Sequence, residues 1–312
     1  MATQKQPSQE VSSTGKRLAL VVGNNGKPEP GRDALKYATQ SAKAIAEVLR
    51  DRCSFELLQP PLLDEPTQTM RDAIYDLVDN RGVADFLLFY FCGHGEPLFI
   101  ETEQRDVYLV SQDFNPQRVE NIDKDAHISF SWLSRVLYEK THAGIVLIVL
   151  DCCYAGNAGY QQEEQPLEAL KQSIQKCFDS YLGKAENSRG VRITIAATSY
   201  NGTTFEQDGY SVLACHLLRV LGTEECAEVV NEKGEITFER LVDYLRARLP
   251  HQPSISNKPI SAPVILATFP DQTVQARRAR QQAEQQAAQE QKLRVLSNHE
   301  FSRFAPRPLK EL

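Results

Sequence analysis

At 312 residues and 41% hydrophobic content, the chain is long enough for one sizeable α/β core with an appendage. Its net charge of −6, with acids and bases interspersed, excludes a general electrostatic footprint for nucleic acid or for an anionic membrane. The first fourteen residues are polar, with no apolar run behind a basic start, and no stretch approaches the ~18 consecutive apolar residues of a spanning helix, so the cytoplasm is the expected compartment; seven cysteines without CxxC spacing point to reduced thiols rather than a disulfide framework.

Residues 1–15 are rich in Ser, Gln and Thr and read as disordered. Arg17 to Val22 (RLALVV) is a first strand. The loop from Gly23 to Gly31 is turn-forming, but its glycines match neither GxGxxG nor the Walker spacing, which argues against a phosphate cradle. Asp33 is placed to cap a helix with Leu35, Ala38, Ala42, Ile45 and Leu49 on one face. Ser54 to Leu58 reads as a short strand, Pro60 and Pro61 as a break, and Thr67 to Asn80 as a helix with Met70, Ile74, Leu77 and Val78 inward. Phe86 to Phe91 (FLLFYF) is a buried strand that opens into Cys92-Gly93-His94-Gly95. Leu98 to Ile100 and Val107 to Val110 form a small hairpin. Ser129 or Ser131 starts a helix carrying Trp132, Leu133, Val136 and Leu137.

Ile145 to Leu150 (IVLIVL) is a second buried strand, and it runs directly into Asp151-Cys152-Cys153-Tyr154-Ala155-Gly156. Residues 157–190 are polar, with a helix expected from Pro166 to Tyr181. Val191 to Thr198 is a strand, Ser211 to Leu221 and Thr237 to Leu249 are helices, the latter capped by Thr237, and Ala262 to Ala267 (APVILA) is the last strand. From Asp271 onward the composition changes to a Gln/Ala/Arg-rich segment, polar on every side, which reads as a linker or partner-docking tail. The expected organisation is an N-terminal segment (1–15), one domain (16–270) and a tail (271–312). Within the domain, a large portion (about 16–160) and a small portion (about 191–270) flank a linker over about 157–190.

Two buried strands thus each deliver one reactive residue at the carboxyl end, where open α/β sheets place their sites. A cysteine attacks as thiolate, and at an unperturbed pKa of ~8.5 it needs a nearby base; His94 is the candidate for Cys153. Gly93 and Gly95 leave the histidine without flanking side chains, and their amides with that of Cys153 are candidates for an oxyanion hole. If the two strands are parallel neighbours, ~4.8 Å apart, both residues reach one bound peptide. Taken singly, a buried cysteine is commonly a small hydrophobe and a GHG commonly a turn; the conjunction is what points to chemistry. Cys92, His94, Cys152 and Cys153 offer an alternative zinc set, but at spacings poorly suited to a tetrahedron.

The motifs YFCGHG (Tyr90 to Gly95) and DCCYAG (Asp151 to Gly156) resemble the histidine and cysteine motifs of the caspase-like cysteine peptidases, in particular the metacaspase and bacterial orthocaspase branch. The resemblance extends from Arg17 to about Phe269. It includes LALVVGNN, ITIAATS (Ile193 to Ser199) followed by Phe205-Glu206, and Gly209-Tyr210-Ser211; the QAC motif of animal caspases is absent. It implies an α/β three-layer sandwich, with a mostly parallel six-stranded sheet between helices and the final strand antiparallel. It further implies Cys153 as nucleophile, His94 as general acid/base, the Gly95 and Cys153 amides as oxyanion hole, and Cys152 as structural. Members of this branch cleave after Arg or Lys through acidic residues in the first specificity pocket, and Asp151 matches one of these. The family's Asn-Asp-Ala reads Gln40-Ser41-Ala42, so a pocket carboxylate is missing at Ser41. Glu206 stands where it can restore that charge, with Asp33 a lesser substitute and a surface ion pair the plainer role for Glu206. The 157–190 linker suits self-processing at Lys171, Lys176, Lys184 or Arg189, the last two being the leading candidates. No cofactor is required; calcium activation is common in metacaspases, but the scattered acids form no loop ligand pattern, which leaves calcium undecided. The expected partners are protein substrates, together with a regulatory partner or further domain through the tail. Two rival readings are a catalytically silent scaffold and a partner-activated effector in a defence or cell-death pathway.

Overall fold

Apolar runs in the sequence become strands covered on both faces. The computed structural model describes residues 15–29, 33–99, 105–117, 127–154, 190–197, 206–222, 226–249, 254–257, 263–270, 274–275, 278–280 and 282–292. Its strands are β1 (Arg17–Gly23), β2 (Glu56–Leu57), β3 (Leu62–Leu63), β4 (Phe86–Phe99), β5 (Arg105–Leu109), β6 (Ile128–Ser129), β7 (Ile145–Tyr154), β8 (Val191–Ala196), β9 (Glu206–Gln207), β10 (Tyr210–Ser211), β11 (Glu235–Thr237), β12 (Ser254–Asn257) and β13 (Ile265–Thr268). The helices are α1 (Ala38–Arg52), α2 (Thr67–Val78), α3 (Phe130–Ser134, continuing as a π-helical turn over Arg135–Glu139), α4 (Val212–Gly222), α5 (Cys226–Val229) and α6 (Phe238–Arg248). The expected helix from Pro166 to Tyr181 lies outside the described residues.

Across the main sheet the strands run β12-β8-β7-β4-β1-β2. Along that path every pair is parallel except β12 with β8; off it, β5 pairs antiparallel with both β4 and β6. Strand alternation sorts the core into two layers. Ala19, Val21, Leu88, Tyr90, Cys92, Leu147 and Val149 pack with α1, α4 and α6, while Leu20, Val22, Phe89, Phe91, Ile148 and Leu150 pack with α2 and α3. Each fully buried Phe or Leu in these layers stabilises by about 1.5–3 kcal/mol, and together they fix the central strands that carry the site.

Two expectations are corrected here. Asp33 does not cap α1: the helix starts at Ala38, and the Asn25 side chain caps it from a distance, Oδ1 accepting from the Ala38 and Thr39 amides at 3.0 and 3.4 Å. Leu35 precedes the helix and packs half-buried against the same layer. The last apolar run, assigned to the main sheet from sequence, instead forms β13 and pairs antiparallel with β11 in a separate ribbon. The sixth strand is the polar SISN segment, β12. Arg17 fastens the ribbon to the sheet: its guanidinium stacks 4.3 and 4.9 Å from the Phe55 and Phe86 ring centroids and donates to the Ile265 and Leu266 carbonyls at 3.0 and 2.7 Å.

Ser129 does cap α3, its Oγ accepting from the Trp132 amide at 3.2 Å. Thr237 precedes α6 as expected, though with no side-chain cap bond. Beyond β13 the chain stays attached through buried Val274 and through Arg278, which donates to the Asn231 carbonyl at 3.2 Å. Residues 282–292 then form a helix exposed along its whole length, as its all-round polarity predicts. No helix among the described residues is long and apolar enough to cross a membrane.

Candidate functional site

The chain passes from β2 and β3 on one side of β1 to β4 on the other, so the strand order reverses between β1 and β4 and leaves a crevice at their carboxyl ends. β4 does not end at Phe91, where the apolar run stops. It continues through His94 to Phe99, held by antiparallel pairing to β5 on one side and parallel pairing to β7 on the other. In that parallel register His94 is the direct partner of Cys153, and Cys92 the partner of Asp151. Positions 151 and 153 fall on one face of β7 by alternation, the face that carries Cys92 and His94 on β4. The Cys153 side chain lies outside the described atoms. Cys152 is buried in the opposite layer, as expected of a structural cysteine.

His94 is 6% exposed, and its Nε2 lies 2.8 Å from the Asp33 carbonyl oxygen. A carbonyl only accepts, so Nε2 carries the hydrogen and the neutral ring presents Nδ1 as the basic nitrogen. Asp33 thus enters the site through its main chain, a role that no side-chain pattern announces. Gly26 flanks the ring, with φ +74° and room for a Cβ only 3.4 Å from His94 Cδ2. Gly93 serves packing: a Cβ there would lie 2.7 Å from the Phe91 ring and 3.0 Å from the Asn24 carbonyl. The GNN turn is spent on structure as well. Asn24 Oδ1 accepts from the Glu65 amide at 2.9 Å, and the Asn25 amide donates to Asp64 Oδ1 at 2.7 Å.

The expected oxyanion donors are otherwise engaged in this conformation. The Ile145 amide donates to the Asp85 carbonyl, so odd-numbered residues of β7 and β4 bond each other, while even-numbered β7 carbonyls serve β8, as Leu150 does for the Ala197 amide. Carried to the end of the register, that phase directs the Cys153 amide to the Gly93 carbonyl and the Gly95 amide to the Cys153 carbonyl. An oxyanion hole at Gly95 and Cys153 therefore requires this last rung to part.

Beneath the His94–Cys153 pair lies a buried polar cluster. Asp151, 7% exposed, receives the Tyr90 hydroxyl on Oδ2 at 2.6 Å, and the Ser211 hydroxyl on the same oxygen. Ser211 Oγ in turn accepts from the Ala214 amide at 3.1 Å and so caps α4. Ser41 Oγ accepts from the Ser211 amide at 3.0 Å, and the Cys92 thiol touches Ser41, Tyr90 and Ser211. Burial pushes the Asp151 carboxyl above its ordinary range, opposed by bonds from Ser211, Tyr90, Cys92 and the Ala214 amide. Burial, and then the neighbouring Asp151 charge, push the Tyr90 phenol and the Cys92 thiol well up, so both stay protonated donors.

Ser41 and Asp151 are therefore brought together. Glu206 is joined to them only by its backbone, which pairs with Ser211 in the β9–β10 hairpin; its side chain lies outside the described atoms. Lys171, Lys176, Lys184 and Arg189 lie outside the described residues. A groove of about 530 Å3 between α1 and α4, lined in part by Glu47, Asp51, Arg52, Asp208 and Arg219, reaches neither His94 nor Asp151. Among the described residues no group of three or more His, Cys, Asp or Glu side chains is placed to hold a metal ion.

A mostly parallel sheet between helices, with histidine and cysteine in register at adjacent carboxyl ends, defines an α/β domain of the cysteine-peptidase type. The chain belongs to the caspase-domain family, peptidase C14, whose family model matches residues 16–290. A crystal structure of a protein from Geobacter sulfurreducens shares the fold at a TM-score of 0.53, with 17% identity over 82% of this chain and 98% of that one. No curated protein matches the sequence.

Proposed function

We propose that the protein is a cysteine endopeptidase of the metacaspase and orthocaspase branch that cleaves after Arg or Lys. The observation that carries this reading is the register of His94 with Cys153, combined with the Asp33 carbonyl that leaves Nδ1 as the base. His94 Nδ1 takes the proton from Cys153 Sγ, and the thiolate attacks the scissile carbonyl carbon to form a tetrahedral oxyanion. His94 returns the proton to the leaving amine as the C–N bond breaks. Water, deprotonated by His94, then hydrolyses the thioester and frees Cys153. The opened Gly95 and Cys153 amides hold the oxyanion in both steps.

Asp151 reads the basic P1 side chain, with Glu206 as a second acid; Ser41 contributes a hydroxyl where the family carries a carboxylate. Self-processing in the linker is constrained by chain length. Val191 is anchored beside Ile145, its amide 2.7 Å from the Gly144 carbonyl. Cys153 stands eight residues further along β7, about 26 Å away. Arg189, two residues before Val191, spans about 7 Å at most, so its own Cys153 is out of reach while β8 stays paired. Lys184, seven residues before it, spans about 25 Å at full stretch. Lys171 and Lys176 have chain enough, which reverses the order of preference drawn from the sequence.

The test is a panel of fluorogenic peptides with Arg, Lys or Asp at P1, run on wild type, Cys153→Ala and His94→Ala, with calcium and with chelator. Cleavage after Arg or Lys that disappears in both variants is expected. Cleavage after Asp would overturn the P1 assignment, cleavage by Cys153→Ala would overturn the nucleophile, and silence of the wild type in every lane would favour the scaffold.

A further inference from the structure

We propose that Tyr90, assisted by Ser211, is a positioning residue for P1 specificity, orienting Asp151 and keeping it charged for the basic side chain of the substrate. This rests on the reading of Asp151 as the P1 acid. The sequence marks Tyr90 as one more member of a buried apolar strand, and nothing in the proton transfers described above uses it.

The geometry gives it a different character. Tyr90 is among the most deeply buried side chains of the molecule, on the same face of β4 as Cys92 and His94. A phenol buried that deeply must find an acceptor, and the acceptor here is Asp151 Oδ2 at 2.6 Å. The Ser211 hydroxyl converges on that same oxygen. Two hydroxyl donors converging on Oδ2 fix the plane of the carboxylate that is to meet a guanidinium or ammonium. The groups that bond this carboxylate are Tyr90 and Cys92 from β4 and Ser211 with the Ala214 amide at the start of α4, while Ser41 of α1 joins the cluster through Ser211 and Cys92. Each of those that bond it is a donor that favours the charged form against the burial that opposes it. The N-terminus of α4 adds its dipole in the same direction. A bare buried carboxylate would tend to take up a proton and lose its hold on a cation; Tyr90 and Ser211 oppose that without placing a competing positive charge in the pocket.

The experiment compares wild type, Tyr90→Phe, Asp151→Asn and the double variant on matched peptides with Arg or citrulline at P1, citrulline being the neutral near-isostere. Steady-state constants are measured from pH 5 to 9. Removing only the hydroxyl is expected to raise KM for the Arg peptide about tenfold and to move the acid limb of kcat/KM up by about one pH unit, corresponding to one lost hydrogen bond to a charged group. The citrulline peptide and kcat at saturation should change less than about twofold. Asp151→Asn should abolish the preference for Arg over citrulline, and adding Tyr90→Phe to it should change nothing further. An Asp151→Asn chain that keeps its Arg preference overturns the P1 reading itself. If Asp151→Asn loses the preference but Tyr90→Phe leaves both the acid limb and the Arg KM unmoved, Tyr90 is only packing and the proposal falls alone. A wild type that cleaves neither peptide overturns the peptidase reading and this role with it.

Discussion

The Nε2 of His94 lies 2.8 Å from the main-chain carbonyl of Asp33, in the loop that leads from β1 into α1. The third member of the site is therefore a peptide group whose position depends on how that loop is folded. Gly26 sits in the same loop, against the imidazole, in a conformation with φ +74°. Gly26→Ala should lower kcat/KM by about tenfold or more and cost about 1–2 kcal/mol of stability, since alanine resists the left-handed region and the loop that touches the ring must shift to relieve it. Parallel kinetics and thermal melts check this; unchanged kinetics would mean the loop does not hold His94.

In the resting chain the last rung of the β4–β7 ladder occupies the amides intended for the oxyanion. Hydrogen exchange should accordingly find the Gly95 and Cys153 amides protected together with the neighbouring rungs. Exchange of both within seconds, while Phe89 and Val149 stay protected, would contradict the closed rung.

Processing at Arg189 should be intermolecular. A Cys153→Ala chain carrying Lys171→Ala and Lys176→Ala should be cut at Arg189 only when a wild-type copy is added, at a rate proportional to the concentration of that copy. A wild-type chain whose Arg189 cut proceeds at a rate independent of its own concentration would contradict the anchoring of Val191 beside Ile145.

Asp151 is held at a cost to stability. Its carboxyl is raised by burial, so the folded chain binds the proton more tightly than the unfolded chain. Stability is then greatest below the unfolded value of ~3.9 and falls as pH rises through the folded value. Asp151→Asn removes that dependence. It should melt higher than wild type at pH 8, by about 1–3 kcal/mol, with the gap closing toward pH 4. Circular-dichroism melts across that range check the sign, and a gap that widens toward acid would contradict it.

The buried strands β1, β4, β7 and β8 were legible because parallel strands covered on both faces write themselves as apolar runs, and the CGHG and DCC motifs marked where they end. What failed was whatever depends on main-chain pairing or on distant partners. β4 continues past Phe91 although the residues turn small and polar, because β5 and β7 hold its backbone. SISN carries too little apolar character to announce an edge strand, while the more apolar APVILA run is drawn to β11, where Val264 and Leu266 reach the core. Asn25 caps a helix that begins thirteen residues later, and Asp33 works through its carbonyl, so neither role follows a local rule. Tyr90 was hidden inside FLLFYF; the only sequence signal was its even-numbered spacing from Cys92 and His94, which places all three on one face.

The most direct test of the His94–Cys153 assignment is covalent trapping with a peptidyl-arginine chloromethyl ketone, followed by peptide mass spectrometry and by labelling rates from pH 5 to 9 in wild type and His94→Ala. The predicted result is a single adduct on Cys153, formed at least about a hundredfold more slowly when His94 is removed, with Cys92 and Cys152 unlabelled. An adduct on another cysteine, or an equal rate without His94, would contradict it.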